Sequence, residues 1–240
     1  MAWRSLDNSE DIMPYTDAIA VIEQASETGV LESLAPPIRV ALFLGALAFL
    51  TTFLVSATSF TRIIIVLSFV RRGLSTQEIP PNPSLMGLAL FLTAYTMGPT
   101  IDAVHETAIR PYVAKEINET QALRRAYPPL RKFMMRQTRK SDLSLFMEMA
   151  DVESFESEEV VPLRMLVPAY MISELKTAFI MGFCIYVPFV LIDLLVSTVL
   201  MSLGMMMMPP VVVSAPIKLL LFVLADGWHL VVENLGKSFL

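Results

Sequence analysis

Glu174 and Lys176 stand two residues apart within a long apolar region of the chain. On a helix that spacing turns them to different faces, so they cannot simply neutralise each other. Ionisable groups at membrane depth cost roughly 2.5–3.5 kcal/mol each and therefore face protein or water. Their chemistry is either to hold neighbouring helices at an interface or to line an ion or substrate pathway. Asp193 and Lys218 pose a question of register. If the chain folds back around Met207, Asp193 lies fourteen residues before the turn and Lys218 eleven after it. At about 1.5 Å per residue the two then lie at nearly the same depth. Glu174 cannot reach Lys218 in such a hairpin, but could do so across a subunit boundary, or if Pro188 breaks the helix.

Met205, Met206, Met207 and Met208 form an unbroken run between Gly204 and Pro209-Pro210. Methionine ordinarily fills irregular gaps in a core, but four in a row cannot all face one core. The flanking turn residues imply a loop instead. At membrane depth a loop is tolerated only where it is buried in protein or lines a cavity. A cavity-lining ring of mobile thioethers would seal against water and ions yet deform around a passing chain. Clustered thioethers could also bind copper(I), but no histidine or cysteine accompanies them.

Little else suggests a reactive centre. Cys184 sits in an apolar run and reads as a small buried hydrophobe. His105 and His229 have no ligand spacing between them, and phosphate-binding glycine loops, HExxH and nucleophile elbows are missing. The expected function is not enzymatic and needs no cofactor or metal.

The elements that must position these groups are membrane helices. Of the 240 residues, 55% are hydrophobic and 17% charged, against about 45–50% and about 25% in soluble domains; mean hydropathy is +0.60. A net charge of −5 without a basic stripe excludes nucleic acid as a partner. Residues 1–36 are polar and acidic, and lack the basic start and apolar core of a signal peptide. Residues 37–101 form a first hydrophobic region of two segments (40–70 and 84–101) joined by a proline-rich turn. Residues 102–161 carry nine basic and eleven acidic side chains and read as a soluble helical domain. There Leu130, Phe133, Met134 and Gln137 make one helix face, and Leu143, Phe146 and Met147 another. Asn118 with Gln121, and Ser141 with Asp142, look like helix starts, and Pro128-Pro129 reads as a break between helices. Residues 162–240 form the second hydrophobic region, with a helix to about Leu203, a loop at 204–210 and another helix after Ala215. The fold class is an all-α membrane protein with four hydrophobic helical regions, two of them broken, and a small soluble domain between the second and third. Arg71 and Arg72 in a short loop mark that side as cytoplasmic, which places residues 102–161 in the periplasm.

Several strings together resemble one known family. They are Ser59-Phe-Thr-Arg-Ile-Ile-Ile-Val66, Pro80-Pro81-Asn82, Leu88-Ala-Leu-Phe-Leu92, Arg136-Gln-Thr-Arg139 and Pro168-Ala-Tyr170. Downstream come Ser173-Glu-Leu-Lys-Thr-Ala-Phe179, Gly204-Met-Met-Met207, Pro209-Pro210 and Asp226-Gly-Trp228. In this order, from about residue 37 to 239, they resemble the FliP/SctR family of type III secretion export-gate subunits. The resemblance implies a non-enzymatic, pore-forming subunit in the bacterial inner membrane, at the flagellar basal body. Several copies would assemble with FliQ and FliR, alongside FlhA and FlhB, to conduct unfolded flagellar proteins. It implies that Met205, Met206, Met207 and Met208 form a gasket, with Gly204, Pro209 and Pro210 as its turn. It also implies that Glu174, Lys176 and Lys218 join in charge pairing, with Glu174 meeting Lys218 between neighbouring subunits in preference to the hairpin pair Asp193–Lys218. The family's segments pack in a conical bundle, which suits bends at Pro99, Pro188 and Pro209. The injectisome counterpart is an alternative that sequence separates poorly. A proton-coupled transporter relaying through Glu174, Asp193 and Asp226 would call for internal repeats, and the sequence has none.

Overall fold

The computed structural model describes residues 35–76, 79–152, 161–205 and 208–239. Among these residues every regular element is helical. Helix α1 (Pro36–Ala57) opens on prolines whose missing N–H is no loss in a first turn. It gives way at Thr58–Ser59 to α2 (Phe60–Gly73), the last turns of α1 meeting α2 at 79°. Arg71 and Arg72 close α2, where cations complement the carbonyl end of the helix dipole. After the short loop, α3 (Asn82–Thr96) bends by 59° into α4 (Gly98–Val104) and the turns that continue it to Val113. Pro99 stands in the first turn of α4, so it starts a helix where the chain turns.

Two helices follow. In α6 (Glu119–Gln137), preceded by the one-turn α5 (Arg110–Val113), the Asn118 side chain accepts the Gln121 N–H and the Gln121 side chain accepts the Asn118 N–H. This is the expected helix start, and a reciprocal cap of this kind satisfies two otherwise orphan donors. Pro128-Pro129, expected to separate two helices, lies inside α6. A helical proline frees the carbonyl four residues earlier; here Thr107 Oγ1 donates to the freed Arg125 carbonyl at 3.2 Å. Helix α7 (Lys140–Met149) takes Arg139 as its N-cap and has no side-chain cap. Ser141 and Asp142 therefore fall inside its first turn, and the Asp142 carboxylate turns towards a different helix. Phe133 and Met134 join the main hydrophobic core, with Leu130, Leu143, Phe146 and Met147 packed against it.

Helix α8 (Leu163–Ser202) runs unbroken for 40 residues. At about 1.5 Å per residue it is some 60 Å long, twice a hydrocarbon layer of about 30 Å. Pro168 and Pro188 both lie within it, so Pro188 does not interrupt this region as expected. After the methionine loop, α9 (Pro210–Leu224) begins on its prolines, ahead of the expected start after Ala215. A 63° bend leads to α10 (Gly227–Lys237), with Asp226 at the corner in the left-handed region, φ 49°. By length and composition α8 alone among the described residues could cross a membrane, and up to four spans result there if each bent pair counts as one.

Helix α2 lies along α8 in the same direction. Tyr170 donates to the Thr58 carbonyl at 2.9 Å, Phe69 meets Phe179 and Tyr186 edge-on, and Gly73 abuts Phe189. The approach needs glycine: a Cβ on Gly182 would lie 2.4 Å from the Phe69 ring, and one on Gly73 2.5 Å from Phe189. Helix α3 returns antiparallel to α2, Ser59 sharing a hydrogen bond of 2.6 Å with Thr96 at one end and Arg71 donating to Asn82 at the other. Helix α9 returns antiparallel to α8, with Phe222 on Phe189.

Candidate functional site

Ion pairs tie this bundle together at two levels, one fully buried and one open on its carboxylate side. The first centres on Arg62, the single charge of segment 40–70. Its Nε donates to Glu174 Oε2 at 2.8 Å, and one terminal nitrogen pairs with Oε1, making a two-point fork between guanidinium and carboxylate. That same nitrogen reaches Gln137 Oε1 at 3.0 Å. The other terminal nitrogen donates to the Ser238 carbonyl and to its Oγ, each at 3.0 Å. Five donors thus meet five acceptors, the full capacity of a guanidinium. The Phe239 ring lies 4.0 Å from the charge, where its negative face adds attraction. Arg62 and Glu174 side chains are 3% and 1% exposed. A pair taken so far out of water survives only when its remaining hydrogen-bonding capacity is met, and here residues of α2, α6, α8 and the segment after α10 meet it.

The second network lies further along α8. Nineteen residues separate Glu174 from Asp193, about 28 Å of helix axis. Lys218 pairs with Asp193 Oδ2 and donates to Ser75 Oγ at 2.7 Å, while Ser214 Oγ donates to Asp193 Oδ1 at 2.6 Å. Ser75 reaches inward because the chain takes a left-handed turn there, φ 57°. A third, smaller cluster docks α7 on α8: Ser173 Oγ donates to Asp142 Oδ2 at 2.7 Å and accepts the Arg139 N–H at 3.0 Å.

Within a single chain, then, Lys218 meets Asp193, as the fold-back register requires, and Glu174 meets Arg62. The structure does not bring Glu174 to Lys218 in one copy. Lys176 is exposed, turned away from Glu174 as their spacing dictates. Cys184, expected to be buried, is exposed on the outward side of α8. Sequence reasoning left out Arg62, Gln137, Ser238, Ser75 and Ser214. A signal existed for Arg62, since an isolated charge in an apolar segment requires a partner. None existed for its partners, which lie 75 to 176 residues away.

The methionine loop joins α8 to α9. Gly204 has φ 77°; its N–H donates to the Met201 carbonyl at 3.1 Å, and Met205 N–H to the Leu200 carbonyl at 3.0 Å. This paired closure uses a left-handed residue that glycine supplies without steric cost. Met208 N–H returns to the Met205 carbonyl at 3.3 Å, and Pro209-Pro210 start α9. Met205 and Met208 are 40% and 38% exposed; Met206 and Met207 lie outside the described residues. The loop caps a helical hairpin whose end carries no charge from residue 194 to 217 and whose Leu194, Leu195, Leu203 and Val212 are exposed. An apolar surface of this extent in one copy calls for lipid or protein cover.

A family model described as the FliP family matches residues 43–235. The flagellar biosynthetic protein FliP of Bacillus subtilis (strain 168) is 48% identical over 208 residues, 87% of this chain and 94% of its own length. The protein of that name from Pectobacterium carotovorum subsp. carotovorum is 48% identical over 202 residues, 84% of this chain and 78% of its own. The Aquifex aeolicus (strain VF5) protein is 41% identical over 209 residues, 86% and 87% of the two chains.

Proposed function

The chain belongs to the FliP family, and from that premise we propose that it is a pore-forming subunit of the flagellar type III protein export gate. As a family member it is a flagellar biosynthesis protein of the export apparatus. In the proposed gate several copies assemble with FliQ and FliR in the bacterial inner membrane at the basal body, next to FlhA and FlhB, and conduct unfolded flagellar proteins. Its work is mechanical and needs no catalytic group.

The observation that carries this reading is the charge-free hairpin with the methionine turn at its tip. A tight backbone turn fixes the start of the loop, while unbranched thioethers supply a soft apolar surface. One copy leaves that surface open. Copies side by side would close it into a ring that excludes hydrated ions and still yields to a polypeptide. Lys176, exposed in one copy, and Glu174 and Lys218, buried in it, belong to helices that such neighbours would contact.

Replacing Met205 to Met208 together with alanine tests the seal. The expected outcome is normal assembly with a resting membrane that leaks small ions, measured as dissipation of the membrane potential in cells expressing the gate. Failure to assemble without any leak would make the methionines packing residues and remove the gasket role.

A further inference from the structure

The Asp193–Lys218 network is built like the Arg62–Glu174 network but lacks a wall. Lys218 is 2% exposed, yet the Asp193 side chain is 36% exposed. Each carboxylate oxygen accepts one bond, where an ionised carboxylate offers about four lone-pair sites. Around it Val190, Leu191 and Leu194 are exposed and apolar, so the opening is not set in a polar surface. An ion pair open to an apolar layer loses stabilisation that protein donors would restore.

A donor of the right kind stands at the same level. Ser75 Oγ is bonded to Lys218, and the Ser75 N–H bonds back to the Arg72 carbonyl at 3.0 Å, so Arg72 lies one turn from the network. It is exposed, and no side-chain hydrogen bond or ion pair engages it among the described residues. Neighbouring Arg71, by contrast, is spent on Asn82. A guanidinium suits a carboxylate already holding one bond per oxygen, because its fork can reach both remaining sites.

We propose that Arg72 of one copy closes the open side of Asp193 in the next, making each Asp193–Lys218 network a site shared between two subunits. This rests on the multi-copy reading above. Such a contact is head-to-tail, since it joins two different patches, and it repeats around a closed ring.

The test uses the full chain co-expressed in two differently tagged copies, with Cys184→Ser in both. One copy carries Arg72→Cys and the other Leu194→Cys, beside Asp193. Oxidation in membranes should give a mixed disulfide dimer that neither copy forms alone. Separately, Arg72→Glu should lose the homo-oligomer on native gels at an unchanged melting temperature, and Arg72→Lys, which keeps the charge but not the fork, should retain only part of it. If the unaltered chain oligomerises but Arg72→Glu leaves that oligomer intact and no mixed dimer forms, the shared site is wrong and the gate reading stands. The shared site is equally wrong if Arg72→Glu reduces only flotation with vesicles rich in anionic phospholipid, which would assign Arg72 to headgroups. If the unaltered chain never oligomerises, the gate reading fails first.

Discussion

Arg62–Glu174 and Lys218–Asp193 use the same chemistry about 28 Å apart on one helix, yet they are enclosed to different degrees. The first is sealed by residues of four segments, the arginine's donors all engaged by its own chain. The second has two serines for support and a carboxylate with an open side. The difference separates an internal fastening, complete in one molecule, from a surface that one molecule leaves unfinished. Burial in a single copy is therefore a guide to which charges hold the chain together and which stay open at its surface.

Breaking the fastening should cost most. Arg62→Ala strands a buried carboxylate, for which about 3–5 kcal/mol is expected, read as a large drop in melting temperature in detergent or as loss of the protein from membranes. The paired replacement Arg62→Met with Glu174→Leu should recover most of that, because buried pairs exchange for apolar residues at little net cost. Recovery near zero would mean that Gln137 and Ser238 contribute as much as the pair itself. Lys218→Met should cost less, about 1–3 kcal/mol for an acceptor that keeps its serine and some water; a loss equal to that of Arg62→Ala would erase the contrast. Gly204→Ala should cost about 1–2 kcal/mol through its left-handed backbone, visible as a small thermal shift. Lys237→Ala, which breaks an exposed pair with Glu233 one turn away, should leave the melting curve within its scatter.

Composition, the apolar segments and the breakers around the methionines were enough to read a helical membrane protein whose chain turns between Ser202 and Pro210, because each is a local property. Asn118 with Gln121 was legible for the same reason. Pro128-Pro129 and Pro188 misled, since a proline's effect on a helix depends on what takes the carbonyl it frees. In α6 that donor is Thr107, eighteen residues away from Arg125. The charges divided along the same line. Asp193 and Lys218 flank one turn, so counting residues brings them to one depth. Arg62 and Glu174 lie 112 residues apart, and only the parallel packing of α2 on α8 brings them together.

Arg62 is bound at last by Ser238, made 176 positions after it, and by the adjoining Phe239. At about 5–20 residues per second, Arg62 waits roughly 6–20 s for Glu174 and longer for the final contacts. During that interval a guanidinium destined for a dry interior has no carboxylate and must stay near water. The pair thus joins segments made early and late, and its enclosure is complete only once the segment after α10 has been made.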